Sequence, residues 1–277
     1  MAALEGSMAP PNSLAAVQAC LNARAAHIEI DVVALAEDDY LLVHDDVLES
    51  ETSGIGPVAA CSVAQARQLH IRNSEHPVAL LSDVVKAIAR SDAPARLQID
   101  YKNIYPFASD EPLRRLLRLI APLGERVIVS SIADWQLRAL HRLAPALALG
   151  FDIQLYLDLR RAEPGTYPHI LGVYGYWDDH MLATRRLWSH EAYLRDRSDS
   201  LIGQVPGVRA FYVRHQLLTQ SLEDGFNWAA ALHTSGIELD AWTIDSPQAS
   251  ASALRLREAG VDLFTSNTPS AMTKLIG

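Results

Sequence analysis

Along the chain, short runs that are apolar on successive or alternate positions take turns with longer Ala-, Leu- and Arg-rich stretches whose apolar residues recur every three or four positions. The first pattern predicts β-strands and the second amphipathic helices. Strands are predicted over 27–33, 40–44, 97–102, 127–131, 147–153, 210–213, 239–244 and 261–265, and helices over 13–24, 81–90, 111–119, 135–143 and 248–258. Asn12 or Ser13 is a natural cap for the first helix, and Ala259-Gly260 a natural stop for the last. Many short strands followed by helices, over 277 residues, predict an α/β chain forming a single-domain, irregular (βα)8 TIM-type barrel. A doubly wound sheet would be expected to carry a glycine-rich turn after its first strand, and none is present. The irregularity lies between Asp31 and Leu41, where too few residues remain for a crossover helix of about a dozen, so the chain must turn back there or join strands unusually. The region 167–200, rich in Tyr, Trp, His and charge, has weak periodicity and reads as an inserted loop with short helices, whose cluster of Tyr174, Tyr176, Trp177 and His180 could cover a substrate but more simply packs the loop onto the barrel.

Composition narrows the function classes. Hydrophobic residues make up 49% of the chain, enough for a sizeable core. The formal charge is -9, the only lysines are Lys86, Lys102 and Lys274, and no basic stripe with interleaved aromatics exists, which disfavours nucleic acid and anionic membranes as partners. A local basic pocket stays open. Cys20 and Cys61 match no metal-ligand spacing and read as reduced thiols. The first residues lack the basic and apolar regions of a signal peptide, and no stretch reaches the roughly 18 apolar residues of a membrane span, so a cytoplasmic protein without membrane insertion is expected. The oligomeric state is not legible.

The candidate chemistry sits at strand ends. In His27-Ile28-Glu29-Ile30-Asp31, alternation puts Glu29 and Asp31 on one face and the isoleucines on the other. Two carboxylates aimed the same way from a buried strand must pair, protonate or bind a cation; at a solvated strand end they would instead meet arginines. Asp100 and Lys102 repeat the style in Leu97-Gln98-Ile99-Asp100-Tyr101-Lys102. Glu29, Asp31 and Asp100 together would make an all-oxygen site suited to Mg²⁺ or Ca²⁺, while taken alone Asp100 and Lys102 could be an ordinary surface pair. His44, closing Leu41-Leu42-Val43-His44-Asp45-Asp46, could transfer protons near neutral pH or be a structural surface histidine.

The order Glu29-Ile30-Asp31, Val43-His44-Asp45, Gly54-Ile55-Gly56-Pro57-Val58, Asp100-Tyr101-Lys102, Ser130-Ser131, Ala241-Trp242-Thr243-Ile244 and Gly260-Val261-Asp262 resembles the glycerophosphodiester phosphodiesterase family of phospholipase-C-like barrels. Pro11-Asn12-Ser13-Leu14 is similar to the family's Pro-Glu-Asn-Thr-Leu. The resemblance implies hydrolysis of a small-molecule glycerophosphodiester to glycerol phosphate and an alcohol. It implies Glu29, Asp31 and Asp100 as ligands of a divalent cation, His44 as one member of a catalytic histidine pair, Lys102 as a phosphate contact and Trp242 as a pocket wall. Two departures bear on activity: the family's first-strand His-Arg-Gly is Leu4-Glu5-Gly6 here, which removes the partner histidine and puts an acid where an arginine meets phosphate. Weak or lost activity follows, and the alternative is a non-catalytic, ligand-binding barrel. Few residues precede Leu4, so a first strand there would be truncated unless the gene begins upstream of Met1.

Overall fold

The structure is a computed structural model describing residues 6–105, 108–157, 189–245 and 247–276. Leu4, Glu5, the aromatic cluster Tyr174 to His180 and most of the region 167–200 lie outside the described residues. The chain divides into two compact units, Met1–Ser131 with Trp135–Leu149, and Ile132–Asp134 with Gly150–Gly277.

The first unit opens with α1 (Leu14–Asn22), whose cap is Ser13; its hydroxyl accepts from the Ala16 N–H at 3.0 Å. Next come β1 (His27–Ala34) and β2 (Tyr40–Leu41), which pair antiparallel with Val33 opposite Leu41. The short connection read from the sequence is therefore a turn back. Strand β2 ends three residues earlier than its apolar run predicts, because Leu42 donates to the Ala79 carbonyl and Val43 to that of Leu41, which takes the chain off the strand path before His44. After the short α2 (Val63–Ala66) and α3 (Leu81–Arg90), the parallel ladder resumes with β3 (Arg96–Tyr101), α4 (Glu111–Ile120) and β4 (Val127–Ser131). Helix α3 buries Leu81, Val84, Val85 and Ile88, the three- and four-residue spacing of one helical face. On β1, Ile28, Ile30 and Val32 are buried on the face opposite the acids, each side chain contributing about 1.5–3 kcal/mol by leaving water. Between β2 and α3, Val43, Leu48, Val58, Cys61, Ala66 and Leu80 pack with Val33, Leu35 and Leu41, which seats the loop that begins at His44 on its own small core.

Helix α5 (Asp134–Leu143) and strand β5 (Ala148–Asp152) straddle the boundary between the units. The second unit continues with α6 (His190–Gln204), β6 (Val208–Arg214), α7 (His215–Glu223), α8 (Trp228–His233), β7 (Glu238–Trp242), α9 (Ser250–Glu258), β8 (Leu263–Phe264) and α10 (Pro269–Ile276). Strands β6, β7 and β8 are parallel neighbours. Phe151 and Phe211 meet edge to face at 5.7 Å in its core, and Phe226 and Trp228 at 5.2 Å. Helix α6 is 15 residues long where short helices were expected; its polar run hides the few residues it buries, Tyr193, Leu194, Ser198 and Leu201. Among the described residues no helix is long and apolar enough to cross a membrane.

Candidate functional site

Strands β1 and β3 run parallel with Glu29 opposite Gln98 and Asp31 opposite Asp100. Residues paired in this way project to the same side of the sheet, so Glu29, Asp31, Asp100 and, one step beyond, Lys102 share one face. One carboxylate oxygen of each acid lies within 4.8 Å of the others. Asp31 is buried, Glu29 and Asp100 partly so. Lys102 Nζ stands 2.9 Å from Asp31 Oδ1 and 2.6 Å from Asp100 Oδ2. Burial by itself would lower the lysine's pKa, but the charges of Asp100 and Asp31 outweigh it and hold the ammonium above the ordinary lysine value.

Among these four side chains the carboxylates outnumber the ammonium three to one, so acid is in excess. Asp31 Oδ2 is buried and has no hydrogen-bond partner among the described residues. A buried carboxylate oxygen without a donor is costly, and a cation satisfies it where a second carboxylate cannot. The oxygen-only donors, the excess of acid and the orphaned oxygen together fit a hard divalent cation.

Asn12 holds this strand in place. Its side chain bonds both backbone groups of Asp31, donating from Nδ2 to the carbonyl at 3.3 Å and accepting the N–H on Oδ1 at 3.2 Å. Asn12 is buried with φ of 58°, a left-handed conformation asparagine adopts more readily than most residues. Of the two cap candidates Ser13 caps the helix, which frees Asn12 for this contact.

His44 is exposed at the edge of the loop core. Its Nδ1 lies 2.9 Å from Asp45 Oδ1, and this bond holds the Asp45 carboxyl below its ordinary pKa. Glu51 Oε1 accepts the backbone N–H groups of both His44 (2.6 Å) and Asp45 (3.0 Å), which fixes the turn presenting the pair. Sequence reasoning missed the anchoring roles of Asn12 and Glu51. The Pro-Pro-Asn-Ser turn could have flagged the first; nothing local marks the second, seven positions from the histidine.

Trp242 belongs to the second unit, at the C-terminal end of β7, where its Nε1 is buried without a hydrogen-bond partner among the described residues. The β6–β7 register places Tyr212 beside Asp240 and Arg214 beside Trp242. Asp240 is buried, and the single Thr265 hydroxyl reaches both its oxygens, at 3.0 and 3.1 Å. Burial pushes its pKa up to about 7, with the Thr265 bonds opposing. His27, at the start of β1, is exposed. Arg195 pairs with Glu191 at 2.7 Å, and Arg197 donates to the Tyr156 carbonyl at 2.8 Å. Both cysteines are buried thiols, and burial raises the pKa of each.

Residues 5–271 match the profile of the Glycerophosphoryl diester phosphodiesterase family. A glycerophosphodiester phosphodiesterase of Caldanaerobacter subterraneus is 25% identical over 152 residues, which cover 52% of this chain and 62% of that relative. The match thus spans less than two thirds of the curated relative's length. Among solved structures, one from Galdieria sulphuraria assigned as a glycerophosphodiester phosphodiesterase aligns with a TM-score of 0.71 at 16% identity, covering 100% of this chain and 98% of that one. An Oleispira antarctica phosphodiesterase, solved with the product sn-glycerol-3-phosphate, aligns with a TM-score of 0.66 at 18% identity, covering 99% and 95%. At such identities the likeness speaks for the fold, and the fold is the α/β TIM-type barrel expected from the strand and helix order.

Proposed function

The chain belongs to the glycerophosphoryl diester phosphodiesterase family, and from that membership we propose that it hydrolyses a small glycerophosphodiester to glycerol phosphate and an alcohol, using a divalent cation, Mg²⁺ or Ca²⁺, held by Glu29, Asp31 and Asp100. The observation that carries the reading is the carboxylate cluster on one face of β1 and β3, with the orphaned Asp31 Oδ2 inside it. When bound, the cation would polarise a phosphoryl oxygen as a Lewis acid and acidify a hydroxyl in its reach. Lys102 offers positive charge to the phosphate from beside the cluster. His44 delivers a proton from Nε2 to the departing alkoxide, while Asp45 at Nδ1 orients the ring. The same reading takes the chain as one domain, with an insertion around 167–200, working in the cytoplasm.

Leu4 and Glu5 favour slow turnover. A leucine carries no proton, loss of one acid/base group commonly costs about 10²–10⁴ in rate, and an acid in place of the family's arginine repels phosphate. The second reading is therefore a barrel that binds a phosphodiester without cleaving it. Calorimetric titration of Mg²⁺ and Ca²⁺ into wild type and Glu29→Gln tests the site: binding weakened at least tenfold in the variant is expected, and equal affinity in both removes the proposed ligands. Release of choline from glycerophosphocholine with added cation decides between the readings; release abolished by His44→Ala supports the enzyme, whereas binding with no release supports the second reading.

A further inference from the structure

Lys102 stands where a cation is needed. Asp31 and Asp100 are Cα partners in adjacent parallel strands, an arrangement in which like charges repel. The lysine ammonium bridges them, at 2.9 Å from one and 2.6 Å from the other. It reaches both because Lys102 follows Asp100 by two residues, just past the end of β3 where its N–H still bonds the Val32 carbonyl of β1, and the aspartate ends short of the longer lysine stem. The three side chains are largely shielded from water, with exposures of 21% for Lys102, 4% for Asp31 and 19% for Asp100. Glu29 brings the third carboxylate, and Asp31 Oδ2 has no hydrogen-bond partner among the described residues.

We infer that Lys102 is a built-in competitor for the divalent cation: its ammonium holds Asp31 and Asp100 together in the metal-free protein, and cation binding drives it off at least one of them. The inference rests on the reading of Glu29, Asp31 and Asp100 as cation ligands. An ammonium and a hard cation seek the same carboxylate oxygens, and they repel each other. A unit charge a few ångströms from a doubly charged ion changes its affinity by at least about tenfold even with water-like screening. Cation binding thereby frees a positive charge beside the site, available to a phosphate. A lysine that merely buttressed the acids would behave in the opposite way, since its removal would let the carboxylates move apart and weaken cation binding.

Calorimetric titration of Mg²⁺ and Ca²⁺ into the metal-stripped full chain separates these behaviours. Lys102→Gln is expected to bind at least tenfold more tightly than wild type, with Glu29→Gln binding more weakly. Cation binding that depends on Glu29 but is unchanged or weaker in Lys102→Gln overturns the inference and leaves the metal-site reading standing. Equal affinity in wild type and Glu29→Gln overturns both. A second readout needs no variant, because the chain has only three lysines and both Lys86 and Lys274 are exposed. Acylation of wild type by acetic anhydride, followed by mass spectrometry, should show Lys102 modified several-fold faster with saturating cation than without it, the other two unchanged. Equal Lys102 modification in the two states overturns the inference even where Lys102→Gln fails to fold.

Discussion

Replacing Asp240 by Asn should remove a pH dependence of stability that the second unit carries in its core. The folded carboxyl has a pKa of about 7 against an ordinary 3.8, because burial penalises its charge and the opposing bonds from Thr265 offset only part of that penalty. A folded pKa above the unfolded one means that the native state binds the extra proton between these values. Stability is then complete below about pH 4, falls by about 1.4 kcal/mol per pH unit, and levels off above about pH 7, a total of about 4 kcal/mol. Asparagine cannot ionise, keeps the volume and still accepts from Thr265. Urea denaturation of wild type and Asp240→Asn at pH 5, 6, 7 and 8 should therefore show the variant gaining about 3 kcal/mol relative to wild type between the two extremes. Other titrating groups cancel in that difference. Parallel stability curves for the two proteins would refute the argument, because a carboxyl of ordinary pKa is already ionised throughout this range.

The His44–Asp45 pair makes a graded prediction for hydrolysis: His44→Ala should lower kcat on glycerophosphocholine by about 10²–10⁴, while Asp45→Asn, which keeps the imidazole but weakens its orientation, should cost less. Steady-state kinetics with saturating cation check the order, and a larger loss in Asp45→Asn would contradict the roles assigned. Asn12→Ala should destabilise the chain by about 1–3 kcal/mol in thermal or urea unfolding, since it strands the buried N–H and carbonyl of Asp31, and should weaken Mg²⁺ binding in the same preparation by loosening the ligand-bearing strand. Unchanged stability and unchanged affinity would show that Asn12 carries neither load.

Local regularities were legible in the residue order. The period-two alternation around Glu29 and Asp31 and around Asp100 and Lys102 places each pair on one face of its strand, because a strand's side chains can point only two ways. The three- and four-residue spacing of Leu81, Val84, Val85 and Ile88 marks α3 for the same kind of reason. The brief link from Asp31 to Leu41 ruled out a crossover helix, because one cannot be built from so few residues, while the antiparallel turn back itself was one of two options until the structure showed it. Long-range choices were not legible. The register that sets Asp31 against Asp100, the ammonium between them, the Asn12 amide on the Asp31 backbone and the Glu51 carboxylate under His44 join positions 7 to 71 residues apart in the chain, and each depends on distances that no local pattern encodes. Asp240 shows the gap most clearly: its residue type says acid, but only packing on every side removes the water that would keep it ionised.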